Sequence, residues 1–168
     1  MTRLHTYPTV VTWTGNRGTG TSGYKDYDRE HELTAEGPPP VGGSSDPAFR
    51  GDPERWNPEQ LLVGSLSQCH MLSYLHKCAV AGVVVTEYVD HAVGTMAETA
   101  AGGHFTEVVL RPAVTVASPE MTEAAVKLHE DAHAACFIAS SVNFTVRHEP
   151  TVRTADEPIV RTADQGGA

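Results

Sequence analysis

The stretch Asn57–Gly82, NPEQLLVGSLSQCHMLSYLHKCAVAG, constrains the chain more than any other, because it reads as one long helix with a cysteine near its middle. Asn57 suits the N-cap, and Pro58 suits the first helical position, where its missing N–H has no intrahelical partner. Gly82 suits the terminator. Between them Leu61, Leu66, Met71, Leu75 and Val80 spread over most faces, interrupted by small or weakly polar side chains. A helix apolar nearly all round is expected to be buried. Cys69 shares the three-and-four row of Leu62, Leu66, Ser73 and His76, which aims its thiol at a packed surface or a cleft.

A chain of 168 residues can build one domain with a real core and is short for two ordinary ones, so a single domain is expected. A formal charge of −9 with no Lys/Arg run argues against a nucleic-acid partner, which would need a clustered positive surface. Gln68, His70, His76 and Lys77 interrupt the long helix before it reaches a membrane-spanning length, and the opening MTRLHTYPTVV lacks the apolar core of a signal peptide. A cytoplasmic address and no membrane partner are the expectation. In a reducing compartment three cysteines are no disulfide framework, which leaves chemistry or burial to explain them.

Ahead of the helix, Thr9–Thr14 is β-rich and Gly15-Asn16-Arg17-Gly18-Thr19-Gly20 carries turn residues, so a hairpin is expected, with Thr21–Leu33 as its return strand at a sheet edge. Glu36–Trp56, rich in Pro, Gly and Asp, reads as a long loop of the kind that often serves as a lid or binding loop, with Arg50 and Arg55 read as solvated charges in preference to site-lining ones. Past Gly82, Val83–Ala97 and Phe105–Val116 form two β-rich arms about the turn residues Gly102-Gly103. Ser118-Pro119-Glu120 repeats the cap-plus-proline signature, and a second helix is expected to run to about Ala139, carrying Cys136. Val142–Glu149 alternates as a closing strand. The order implies an α+β domain over residues 1–150, with helices packed on antiparallel sheet. Residues 151–168, which contain Val-Arg-Thr-Ala-Asp twice, read as an extended C-terminal arm, since two copies are too few for a solenoid.

Cysteine is the strongest nucleophile in these helices, and a free thiol of pKa near 8.5 needs a cationic or basic neighbour to react at neutral pH. Arg17, Arg50, Arg55 and the histidines are the candidates, and spacing alone does not choose among them. Cys78, nine residues from Cys69 and half a turn out of phase, cannot pair with it within the helix and reads as a buried small hydrophobe.

Asn57-Pro58-Glu59-Gln60-Leu61-Leu62, followed after six residues by Cys69, resembles the first-cysteine motif of the OsmC/Ohr family of bacterial thiol peroxidases. Thr14–Gly20 is similar to that family's glycine-flanked arginine turn, and Ala132-His133-Ala134-Ala135-Cys136 resembles its second-cysteine segment. The likeness runs in order from about Val10 to Glu149 and is nearer the OsmC-like branch than Ohr proper. It implies two long central helices packed on sheets, an intertwined homodimer with shared sites, no cofactor, and reduction of organic hydroperoxides. Cys69 resembles the peroxidatic cysteine, Cys136 the resolving cysteine, Arg17 the arginine that stabilises the thiolate, and Glu59 the carboxylate that orients it. A dithiol, a lipoylated protein on the Ohr side of the family, is the implied reductant. Two features depart from the pattern: Phe137 follows Cys136 where many relatives have proline, and the 37–56 region is longer. Glu59 and Cys69 lie about 15 Å apart along one helix and out of phase. An arginine serving both would therefore meet them from different copies of the chain.

Two other readings compete. His129-Glu130-Asp131-Ala132-His133 matches the H-E-x-x-H of zinc hydrolases, although no third ligand stands at a standard spacing, and a polar helix face also accounts for both histidines. An apolar interhelical cleft holding one thiol would equally describe a non-catalytic module that binds a small apolar ligand.

Overall fold

The structure, a computed structural model, describes residues 2–100 and 102–155. The chain divides between Leu62 and Val63 into two compact units.

The first unit is built on a three-stranded antiparallel sheet, β1 (Val10–Trp13), β2 (His31–Thr34) and β3 (Val41–Gly43), in that spatial order. The expected hairpin is present, but its return strand is confined to His31–Thr34, and residues 15–30 are an ordered loop. Side-chain-to-backbone bonds explain the difference, because they offer this segment an alternative to a strand ladder. Asn16 Oδ1 accepts from the N–H groups of Gly18 and Gly20 at 2.9 and 3.0 Å. The guanidinium of Arg29 lies against the rings of Tyr24 and Tyr27 at 4.5 and 4.2 Å and donates to the carbonyls of both residues. A Cβ on Gly15 would come within 2.1 Å of the Asp28 carbonyl oxygen, so the turn closes only over glycine.

The structure adds β3 inside what reads as a loop. Val41-Gly42-Gly43 holds a single apolar side chain, so no alternation marks it, yet Gly43 lets the strand lie against the His31 ring, 2.3 Å from where a Cβ would be.

Helix α1 (Pro58–Ala81) has nearly the expected ends. Asn57 Oδ1 accepts the Gln60 N–H at 2.8 Å and Gln60 Oε1 accepts the Asn57 N–H at 3.2 Å, a reciprocal capping box. Gly82 ends it with φ of +74°, a left-handed conformation glycine adopts without strain. Its burial differs from expectation. The fully buried positions form one row of spacing four, Leu66, His70, Tyr74 and Cys78, whereas Leu72 and Val80 are 63% and 75% exposed.

In the second unit the two expected β arms each break in two, giving β4 (Val85–Asp90), β5 (Val93–Thr99), β6 (Gly102–Leu110) and β7 (Pro112–Val116). β5 pairs antiparallel with β6, and β4 with β7. Asp90 marks the break, its carboxylate accepting the Arg111 N–H at 2.6 Å and the Ser67 hydroxyl at 2.5 Å. The expectation of purely antiparallel sheet is corrected here. β8 (Thr145–His148) adds parallel to β6, and β9 (Thr151–Thr154) adds parallel to β7, completing sheets ordered β5-β6-β8 and β4-β7-β9. The first Val-Arg-Thr-Ala-Asp copy thus contributes β9, while the second lies outside the described residues.

The second helix also differs. Ser118 makes no side-chain cap bond, the chain enters through a 3-10 turn at Pro119–Met121, and α2 covers Thr122–Ala134, ending five residues before the expected Ala139. Cys136 therefore sits beyond the helix. The Phe137 carbonyl accepts the hydroxyls of Ser140 and Ser141 at 2.9 and 2.7 Å, and a 3-10 turn over Ala139–Ser141 replaces further α-helix.

Two apolar clusters make the core of this unit, one around Tyr74, Val114, Val116 and Ala125, the other around Leu66, Val108 and Leu110. Val108, Val109 and Leu110 are all buried, so β6 is covered on both faces at this end. Among the described residues no helix is long and apolar enough to cross a membrane.

Candidate active site

Cys69 lies at the middle of α1, half-buried, on the wall of a cleft of about 620 Å³ that also involves Ser65, Leu72, Ser73, Ala135 and Phe137. That volume falls within the range of small-molecule sites. Cys136 approaches from the turn after α2. The 3-10 geometry that ends the helix, with the Cys136 N–H donating to His133 O at 3.1 Å, swings its side chain inward, leaving it 2% exposed. Cys69 and Cys136 are neighbours, near enough for Cys69 to raise the Cys136 thiol's titration, and both are free. Phe137, which follows Cys136, lines the same cleft and is 81% exposed.

Burial pushes the Cys136 thiol up to about 11, with the neighbouring Cys69 adding to the shift and the Ala139 N–H, 3.4 Å from Sγ, opposing it. Cys136 is accordingly a protonated thiol at neutral pH, suited to meeting an oxidised partner rather than attacking a peroxide first. Cys78 faces the opposite side of α1, buried beside Tyr74, and burial raises its thiol as well.

Arg17 and Glu59 both belong to the first unit. The Arg17 guanidinium pairs with Asp28 at 3.5 Å and donates to the Lys25 carbonyl, and it is half exposed. Glu59 stands in the first turn of α1, and its Oε2 is buried with no hydrogen-bond partner among the described residues. These two side chains are not paired with each other. Of the other cations considered, Arg55 pairs with Asp52 at 3.4 Å and Arg50 lies 5.9 Å from the Tyr24 ring centre.

The H-E-x-x-H segment lies on α2, but the reading of its first histidine as part of a polar face is corrected. His129 is wholly buried, and its Nδ1 is 3.0 Å from Nε2 of His70, also wholly buried. The two rings are within 7° of coplanar with centres 5.3 Å apart, so the nitrogens point at each other along the line joining the rings, which is a hydrogen bond's geometry. Tyr74 stacks on His129 at 3.9 Å, and His148 flanks both histidines and His133. Among the described residues no group of three or more His, Cys, Asp or Glu has a metal-holding arrangement. Sequence reasoning missed this cluster, although His70 falls on the four-spaced row with Leu66, Tyr74 and Cys78, the row that turned out to be buried.

The fold and these residues define an α+β protein with two reduced cysteines, from separate elements, meeting beside a cleft. The model of the OsmC-like protein family matches residues 51–151, and the chain belongs to that family. Among solved structures it is similar to an OsmC-like protein of unknown function from Vibrio cholerae O1, 31% identical, with 88% of this chain and 100% of that chain covered at a TM-score of 0.78. It shares its fold with an organic hydroperoxide resistance protein from Elizabethkingia anophelis (18% identity, 92% and 99% covered, TM-score 0.65). The same holds for OsmC, an organic hydroperoxide resistance protein from Legionella pneumophila (16% identity, 90% and 98% covered, TM-score 0.61). Comparison with curated proteins gives no match.

Proposed function

We propose that this protein is a cysteine-based peroxidase that reduces organic hydroperoxides to alcohols. The observation that carries the reading is the proximity of Cys69, which lines the cleft, to Cys136, which is buried near it and whose thiol Cys69 perturbs. Family membership and the hydroperoxide resistance proteins that share the fold point the same way. In the first step the Cys69 thiolate attacks the O–O bond, becoming a sulfenic acid while the alkoxide leaves and is protonated to the alcohol. In the second step the Cys136 thiol condenses with the sulfenic acid, forming the Cys69–Cys136 disulfide and releasing water. An external dithiol, a lipoylated protein being the candidate, resets the pair by exchange.

Arg17 is proposed as the guanidinium that stabilises the Cys69 thiolate and Glu59 as the carboxylate that orients it, within an intertwined homodimer whose sites are shared. The buried, unpaired Glu59 Oε2 supports this, since such an oxygen costs free energy until a donor meets it. Leaving Asp28 would cost Arg17 little, because exposed ion pairs contribute only about 0–1 kcal/mol. Exposed Leu72 and Val80 on α1 give a second chain apolar surface to cover.

The test is turnover of alkyl hydroperoxides compared with hydrogen peroxide across several dithiols. The proposal expects the alkyl substrates to be consumed faster, with one alcohol formed per dithiol oxidised. Binding of a hydroperoxide in the cleft without consumption would contradict the enzyme and leave a ligand-binding module.

A further inference from the structure

We propose that the buried His70–His129 hydrogen bond is a positioning strut that holds Cys69 and Cys136 at the spacing disulfide formation needs. His70 directly follows Cys69 on α1, and His129 lies on α2, the helix that leads into the turn carrying Cys136, so the pair ties together the two segments that deliver the sulfurs. A second bond joins the same helices, from Tyr74 Oη to the Ala125 carbonyl at 3.1 Å. The partners step by four residues in opposite directions, 70 to 129 and 74 to 125, so the helices are zipped antiparallel, with the histidine rung nearer the thiols. Burial keeps both rings neutral, His70 lowered to about 4 and His129 to about 3, with His148 and His133 also opposing a proton on His70. A neutral imidazole offers one donor and one acceptor, and here one ring donates what the other accepts. Their outer nitrogens, His70 Nδ1 and His129 Nε2, have no hydrogen-bond partner among the described residues, so the inner bond is the one that this buried pair depends on. Tyr74 and His148 stack on the rings and fix their planes.

This inference rests on Cys69 and Cys136 being the reacting pair, and the experiment separates the two ideas. The bond uses particular atoms, Nε2 of His70 and Nδ1 of His129. Glutamine places an amide near the position of Nε2, and asparagine near that of Nδ1. His70→Gln and His129→Asn should therefore keep the rung, whereas His70→Asn and His129→Gln misplace it. One equivalent of cumene hydroperoxide is added to each reduced variant, with Cys69 sulfenic acid followed by dimedone trapping and the disulfide by intact mass. Hydroperoxide consumption should be alike in all four. Disulfide formation should stay within about threefold of wild type in the first two and slow by about tenfold or more in the others, as small misplacements of reacting groups do. Dimedone-trapped Cys69 should accumulate in the slow pair. Tyr74→Phe, which removes the other rung, should lower the melting temperature without slowing the disulfide.

Equal rates in all four variants, or a Tyr74→Phe protein as slow as His70→Asn, would overturn the strut. Diamide, which takes two electrons and two protons from the thiol pair, reads the same spacing without hydroperoxide. If wild type ignored cumene hydroperoxide while diamide still ordered the variants as above, the peroxidase reading would fail and the strut would stand.

Discussion

Two buried histidines sit where their charged forms would be penalised, and that makes the fold sensitive to acid. Desolvation dominates at both, holding His70 to about 4 and His129 to about 3 against an ordinary 6.5. The groups facing them are His148, His133 and Tyr74, with Glu130 3.6 Å from His148 as the nearest counter-charge. Well above pH 6.5 the histidines are neutral in both folded and unfolded chains and contribute no pH dependence. Between 6.5 and about 4 the unfolded chain binds protons that the folded chain refuses, so stability falls as pH falls, by at most about 1.4 kcal/mol per pH unit for each histidine. Melting temperatures from pH 7.5 to 5 should drop, and the drop should be shallower in His129→Asn, which has one fewer proton to take up. Parallel profiles in the two proteins would mean that the acid sensitivity lies elsewhere.

At the level of elements, what could be read from residues was what local chemistry decides. Asn57, Pro58 and Gly82 mark the ends of α1, because caps and terminators act within a turn of themselves, and the structure adds Gln60 as the reciprocal member of the cap. The β-rich arms about Gly102 were equally plain. Their division into two sheets was not, since it depends on Asp90 reaching Arg111 and Ser67, far away in sequence. β3 escaped notice because one valine among glycines carries no period. The end of α2 was misread because Ala, Cys, Phe and Ile continue an apolar run, while the competing bonds come from Ser140 and Ser141. The parallel placement of β8 and β9 is a tertiary choice with no local mark. At the candidate site, family likeness singles out Cys69 and Cys136, and the fold brings these two near each other beside one cleft. The histidine pair was hidden in a zinc-like motif whose first member has its Nδ1 committed to His70.

On the scale of the whole molecule, the proposal is that Arg17 and Glu59 of one chain serve the thiols of another, and Leu72 and Val80 of α1 are exposed. Subunit mixing examines this. Arg17→Ala and Cys69→Ser chains, each inactive alone, are refolded together. A shared site leaves one intact centre per mixed dimer, and activity should return to about half the wild-type value for two independent sites in a symmetric pair. Verified mixed dimers with no recovery would confine Arg17 to the cysteine of its own chain. The central claim, that Cys69 and Cys136 are a peroxide-driven redox pair, is tested most directly by the mass of the reduced protein after one equivalent of organic hydroperoxide. The account predicts a loss of two hydrogens, a single Cys69–Cys136 cross-link on peptide mapping, and Cys78 still open to alkylation after unfolding. A Cys69–Cys78 link, or an unchanged pair of free thiols, would contradict it.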